Sequence, residues 1–189
     1  MSSISFLTKI KEVFAPSAKV GQPLWDEKKD NIEREFKFFK DTFRIGILCA
    51  YTNDEDHDLI QKYKKELDIL GYESEVLMFV NELEMPRNVI LPNFTLKDVT
   101  KQGVPYNPRI DRFVNKKFDM LFNLYFTHHP FLENIAHRSA AKCRIGVYRA
   151  ELKKHTDVFV CDIELGNIHQ LIEKINAIFQ KQAYARKHI

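Results

Sequence analysis

The run FDMLFNLYFTHHPFLENIAHRSAAKCRIGVYR, residues 118–149, decides the fold. Residues 118–124 are almost wholly apolar and end in a polar tip at residues 125–130. Residues 131–140 carry apolar side chains at helical spacing, and residues 143–148 form a second apolar run. Strand, loop, helix and strand within roughly 30 residues make a βαβ unit. Such a unit belongs to a parallel sheet, because parallel neighbours need a crossover connection.

Upstream, FRIGILCA (residues 43–50) is a core strand, nearly all apolar as expected when helices cover both faces. Asn53 or Asp54 suits an N-cap, and the acids after it suit the positive helix end. Leu59, Ile60, Tyr63, Leu67 and Leu70 line one helical face, and Gly71 stops the helix. Residues 72–80 alternate imperfectly, which fits an edge strand. Residues 82–107 contain Pro86, Pro92 and Pro105, which exclude a long core strand. Thr95 suits the cap of a short turn that Gly103 ends. A connection of this length is often functional or covers a sheet edge. Residues 108–116 read as a short helix burying Ile110 and Phe113.

Downstream, residues 151–156 are polar and VFVCDI (residues 158–163) is a further strand. Asn167 caps a last helix whose core face is Ile168, Leu171, Ile172, Ile175, Ile178 and Phe179. The expected fold is α/β: a three-layer, doubly wound, mostly parallel five-stranded sheet, Rossmann/flavodoxin-like, in the order 2-1-3-4-5. Ile45, Ile47, Leu48, Leu121, Phe122, Ile145, Val147, Val158 and Val160 are the expected core. Residues 1–41 form an N-terminal helical arm and residues 42–189 a single α/β domain. The arm either packs on its own domain or joins two copies into a homodimer.

The whole chain has 189 residues, enough for one well-cored domain. Its 15 Phe suggest a Phe-rich core or apolar surface used in self-association. The net charge of +3, from 29 basic and 26 acidic residues, points to neither nucleic acid nor a membrane surface. Cys49, Cys143 and Cys161 each lie in an apolar run without CxxC spacing. Buried reduced thiols in a cytoplasmic protein are expected. No apolar run nears the roughly 18 residues of a membrane span, and the N-terminus lacks an uninterrupted signal-peptide core.

In the expected topology a ligand sits where the first strand and the strand at residues 118–124 diverge, beyond their carboxyl ends. The first tip offers Thr52, Asn53 and Asp54; the second offers Asn123, Tyr125, His128 and His129. These groups suit a neutral polar ligand, with Arg149 as the cation able to reach over. Asn123 and His128 are expected to line the pocket, with Asp54 facing them. The plainer reading has Asn123 closing a turn, Asp54 capping its helix and the histidines solvated.

Asp54, Asp56, His57, His128 and His129 are metal-ligand types, but HxH and HExxH spacings are missing, so no metal is expected. The first turn has no glycine, which excludes GxGxxG and P-loop phosphate binding. Arg138, Lys142, Arg144 and Arg149 read as scattered surface cations. Ser139 lacks a GxSxG elbow, and no cofactor is indicated. Asp162 and Glu164 form a carboxylate pair that more often caps the following helix than does acid–base work.

Phe118, Asp119, Leu121, Asn123 and Leu124, followed by Ser139, Ala140 or Ala141, Lys142, Ile145 and Gly146, resemble the FDxLInL…S-A-K-x-x-V/I-G pattern of an uncharacterised Bacteroidetes domain family. Asp98 and Gly103-Val104-Pro105 resemble that family's preceding loop. The resemblance covers roughly residues 43–180 and implies no activity. The run from Asp119 to Gly146 is also similar to the first Rossmann-like domain of heptosyltransferase-like glycosyltransferases, over only about 30 residues. Those enzymes need a second domain that does not fit within this chain, so the likeness is one of fold. Two functions stay open. One is a non-catalytic interaction or self-association module. The other is a nucleotide- or sugar-nucleotide-binding domain or enzyme.

Overall fold

The computed structural model describes Arg34 and residues 42–83, 86–150 and 155–185, with side chains as far as residue 178. The expected arm, apart from Arg34, lies outside the described residues, as does the side chain of Phe179. The elements run β1 (Arg44–Ala50), α1 (Asp54–Ile69), β2 (Glu73–Val80), β3 (Asn93–Thr95), a 3-10 turn (Leu96–Asp98), α2 (Pro108–Asn115), β4 (Met120–Leu124), α3 (Pro130–Arg138), β5 (Cys143–Val147), β6 (Val158–Val160) and α4 (Ile168–Ala185). The strands form one six-stranded sheet in the order β3-β2-β1-β4-β5-β6, and every neighbouring pair is parallel.

Successive side chains on a strand point to opposite faces, and here each face has its own apolar core. Ile45, Ile47, Val76, Met78, Phe122 and Ile145 pack with Ile60, Tyr63 and Leu67 of α1 and Leu171 and Ile175 of α4. Leu48, Leu77, Phe79 and Leu121 pack with Phe113 of α2 and Leu132 and Ile135 of α3. Two helices on either side of the sheet make three layers. Short polar caps set where the helices begin. Asn53 accepts the Asp56 N–H at 2.8 Å to start α1, and Asn107 accepts the Ile110 N–H at 2.7 Å to start α2.

The sheet has six strands rather than five. The additional strand, β3, comes from the irregular segment and pairs with β2, so β2 is internal and not an edge. Pro92 stands at its entrance and is no obstacle there, since its carbonyl accepts the Met78 N–H at 2.9 Å. The other five strands keep the expected relative order. The last strand stops at Val160, before the predicted 163, and Asp162 turns the chain with φ +55°. Cys161 is therefore exposed, and only Cys49 and Cys143 are buried. Val158 is partly buried, unlike the other expected core residues. Leu70 caps the end of α1 and is 69% exposed rather than part of its core face.

Candidate functional site

The chain moves outward from β1 through β2 to β3, then returns to place β4 on the other side of β1. The switch point therefore lies between β1 and β4, where open α/β sheets bind ligands beyond the carboxyl ends of the strands. The two tips are built differently.

The β1 tip is bonded into the start of α1. Asn53 is the N-cap, Thr52 Oγ1 donates to the Asp56 carboxylate, and Asp54 accepts the Tyr51 hydroxyl at 2.5 Å. Asn88 also donates to Asp54. His57 is buried and its Nε2 accepts the Ile90 N–H at 3.3 Å, so residues 88–90 lie against this tip. A shallow open depression beside it is lined by Glu55, Asp56, Glu164 and His169.

The β4 tip gathers buried polar groups on the α3 side of the sheet. Asn123 is 2% exposed and donates from Nδ2 to the His155 carbonyl at 3.0 Å; its Oδ1 has no hydrogen-bond partner among the described residues. Glu133, in the first turn of α3, is 2% exposed. Its Oε1 lies 2.8 Å from His128 Nδ1 and accepts the His129 backbone N–H at 2.7 Å. Its Oε2 lies 3.7 Å from Nε2 of buried His155. The His155 ring meets that of His137 edge-on at 5.7 Å. Arg144 is forked onto Asp157, with Nε at 3.0 Å and Nη2 at 2.8 Å. Burial, and then the Glu133 charge, push the Tyr125 phenol well above its ordinary pKa. Burial, reinforced by nearby His128, pushes His129 down to about 4.

Of the predicted residues, Asn123 and His128 are linked only indirectly: Asn123 bonds the His155 backbone, the His155 ring lies 3.7 Å from Glu133, and Glu133 meets His128. Thr52, Asn53 and Asp54 hold a separate local network, and the described contacts of Asp54 include neither Asn123 nor His128. Arg149 Nη1 donates to the Tyr148 carbonyl at 3.0 Å. Glu133 and His155 were not legible as site residues. The one clue to Glu133 is its place four residues after His129, at the start of a helix that Pro130 opens. His155 lies in a polar excursion without pattern. Among the described residues no group of three or more His, Cys, Asp or Glu is placed to hold a metal ion. The two imidazoles nearest Glu133 lie against different oxygens of its carboxylate.

Residues 21–180 match the family model of DUF6913, a family of unknown function. The chain belongs to this family. No curated protein matches it. The DUF6913 match begins at residue 21, inside the stretch expected to be an arm. The likeness to heptosyltransferase-like enzymes thus rests on the quoted motif alone. Within this DUF6913 member, several residues of the FDxL…S-A-K pattern hold the amino end of the sheet together. Asp119 accepts the N–H groups of Phe43 and Arg44 at 3.0 and 3.1 Å and pairs with Lys142 at 3.3 Å. Ser139 Oγ accepts the Ala141 N–H at 3.2 Å. These are structural contacts at the end opposite the β4 tip.

Proposed function

We propose that the domain binds a small, neutral, hydroxyl-bearing ligand, such as a sugar or nucleoside moiety, beyond the carboxyl end of β4. The observation that carries this reading is the buried polar cluster of Glu133, Asn123 and His155, with half-exposed His128 held at its edge by Glu133. Burying so many polar atoms costs stability unless each is paired, and such groups concentrate at functional sites. The nearby cations are engaged, Arg144 by Asp157 and Arg149 by the Tyr148 carbonyl, which disfavours a highly anionic ligand. Asn123 and His128 remain proposed lining residues, whereas Thr52, Asn53 and Asp54 shape the neighbouring rim. A thermal-shift screen of sugars, nucleosides and sugar nucleotides tests this. Ligand at 100 times its dissociation constant should stabilise the protein by about 2.7 kcal/mol. No shift across the panel overturns the reading.

A second reading, self-association through residues 1–41, draws on one observation. Phe43, Ile69 and Leu70 are 58, 84 and 69% exposed at the opposite end of the sheet, beside the root of that segment. The Rossmann/flavodoxin-like assignment, the Bacteroidetes attribution and a cytoplasmic setting belong to the proposal as well. No described helix is long and apolar enough to cross a membrane.

A further inference from the structure

His128 differs from an ordinary surface histidine in what holds it. Its side chain is 48% exposed, whereas that of Glu133 is 3% exposed, and the two meet at 2.8 Å through Nδ1 and Oε1. A carboxylate only accepts, so neutral His128 must carry its proton on Nδ1. Nε2 is then the basic nitrogen of a half-exposed ring. By contrast, His169 lies 3.6 Å from Glu173 with both side chains 65% exposed, so solvent competes for every atom. The Glu133 carboxylate is fixed in turn, since the His129 N–H donates to the same oxygen at 2.7 Å. A buried carboxylate that orients an imidazole, and offsets the positive charge the ring acquires, is what acid–base catalysis by histidine needs.

We propose that His128 and Glu133 form an acid–base dyad. His128 Nε2 takes a proton from a hydroxyl of the polar ligand bound beyond β4. This deepens the ligand-binding reading and rests on it. The O–H bond breaks, its electron pair stays on the ligand oxygen, and an N–H bond forms at Nε2. The resulting imidazolium keeps its Nδ1–H on Glu133, and the proton returns by the same path. No electrons change hands. His128 is the group that touches the ligand, and Glu133 positions it.

Nitrogen-15 correlation spectra of the imidazole rings in the full-length protein read the tautomer directly. At alkaline pH, His128 should show the Nδ1–H form, opposite to the Nε2–H form that free side chains prefer. An Nε2–H pattern in the parent overturns the dyad without requiring any variant to fold. Glu133→Ala, which leaves Nδ1 without its acceptor, should lose that tautomer preference. Acylation of His128 by diethylpyrocarbonate, located by mass spectrometry, should be faster than that of His169. It should fall about tenfold in Glu133→Gln, the effect of one charge-assisted hydrogen bond. Equal rates in parent and variant overturn the dyad. The same sugar and nucleoside panel is run on His128→Gln, an exposed change. A ligand that stabilises parent and variant equally places the dyad outside the site and overturns the proposal. The expected tautomer and reactivity with no ligand in the panel sink the binding reading instead, so the two failures are distinguishable.

Discussion

Gly146 and Gly46 occupy places where the sheet leaves no room for a side chain. A Cβ at Gly146 would stand 3.1 Å from the Asn123 Cβ and 3.4 Å from Thr156 Oγ1. Both contacts are on well-held chain, so Gly146→Val should cost roughly 1–3 kcal/mol by overpacking. At Gly46 the added atom would lie 2.9 Å from two ring atoms of Phe118, which is fully buried. Gly46→Ala should therefore cost a similar amount, and denaturant melts of the two variants measure both. A rise in melting temperature for either would show that its neighbours give way. His129 supplies a residue-scale test in pH. Its ring packs edge-on against Phe79 at 4.7 Å and Phe131 at 5.9 Å. Burial lowers its pKa from 6.5 to about 4, so the folded state refuses a proton that the unfolded chain accepts. The stabilisation is complete above about pH 6.5 and is lost as the pH falls towards 4, by about 3 kcal/mol in all. His129→Phe should flatten the part of the stability curve between pH 6.5 and 5, before carboxylates protonate. An unchanged slope there would assign that loss to other groups.

Elements were legible wherever a periodic apolar pattern ran between recognisable caps. The caps expected at Asn53 and Asn167 each accept a backbone N–H three residues on, and Asn107, which was not expected as a cap, does the same for α2. Asn53→Ala should cost about 1 kcal/mol in folding stability and leave ligand response unchanged, because its bonds serve the helix. Loss of ligand response in a variant of undiminished stability would return the β1 tip to the site. Asp119 is the corresponding staple between β1 and β4. Burial pushes its pKa up, but the Phe43 and Arg44 N–H groups and Lys142 outweigh that and hold it below its ordinary value. Asp119→Ala removes three partners' bonds and should cost about 1–3 kcal/mol at neutral pH. The deficit should shrink as acid protonates the parent's carboxylate, since a depressed carboxylate's stabilisation is full above its unfolded pKa and is lost as the pH falls through its folded one. What could not be read was β3, three residues long and entered directly from Pro92, because so short a strand has no period of its own. The Glu133 cluster was equally hidden. It joins α3 to a residue before β6, and no local pattern announces a contact between a helix face and a distant loop.

On the scale of the whole molecule, the two ends of the sheet have different characters. The carboxyl end buries histidine, asparagine and glutamate, while the amino end leaves Phe43, Ile69 and Leu70 in solvent. Arg34, within the family match, donates to the Ala141 carbonyl at 2.6 Å and to that of Ser139 at 3.4 Å, at the turn between α3 and β5. The segment before β1 thus reaches its own domain at least at this residue, and the exposed apolar residues nearby are a second surface that self-association could use. Light scattering on the full-length chain across a dilution series should show a dimer that dissociates on dilution. Ile69→Glu puts a charge at an exposed position, so it should leave the fold intact while shifting the protein to monomer. Removal of residues 1–41 should do the same, with circular dichroism confirming that the remainder is folded. A full-length chain that is monomeric at every concentration would sink the self-association reading. A dimer indifferent to Ile69→Glu but lost with residues 1–41 would place the interface on that segment alone.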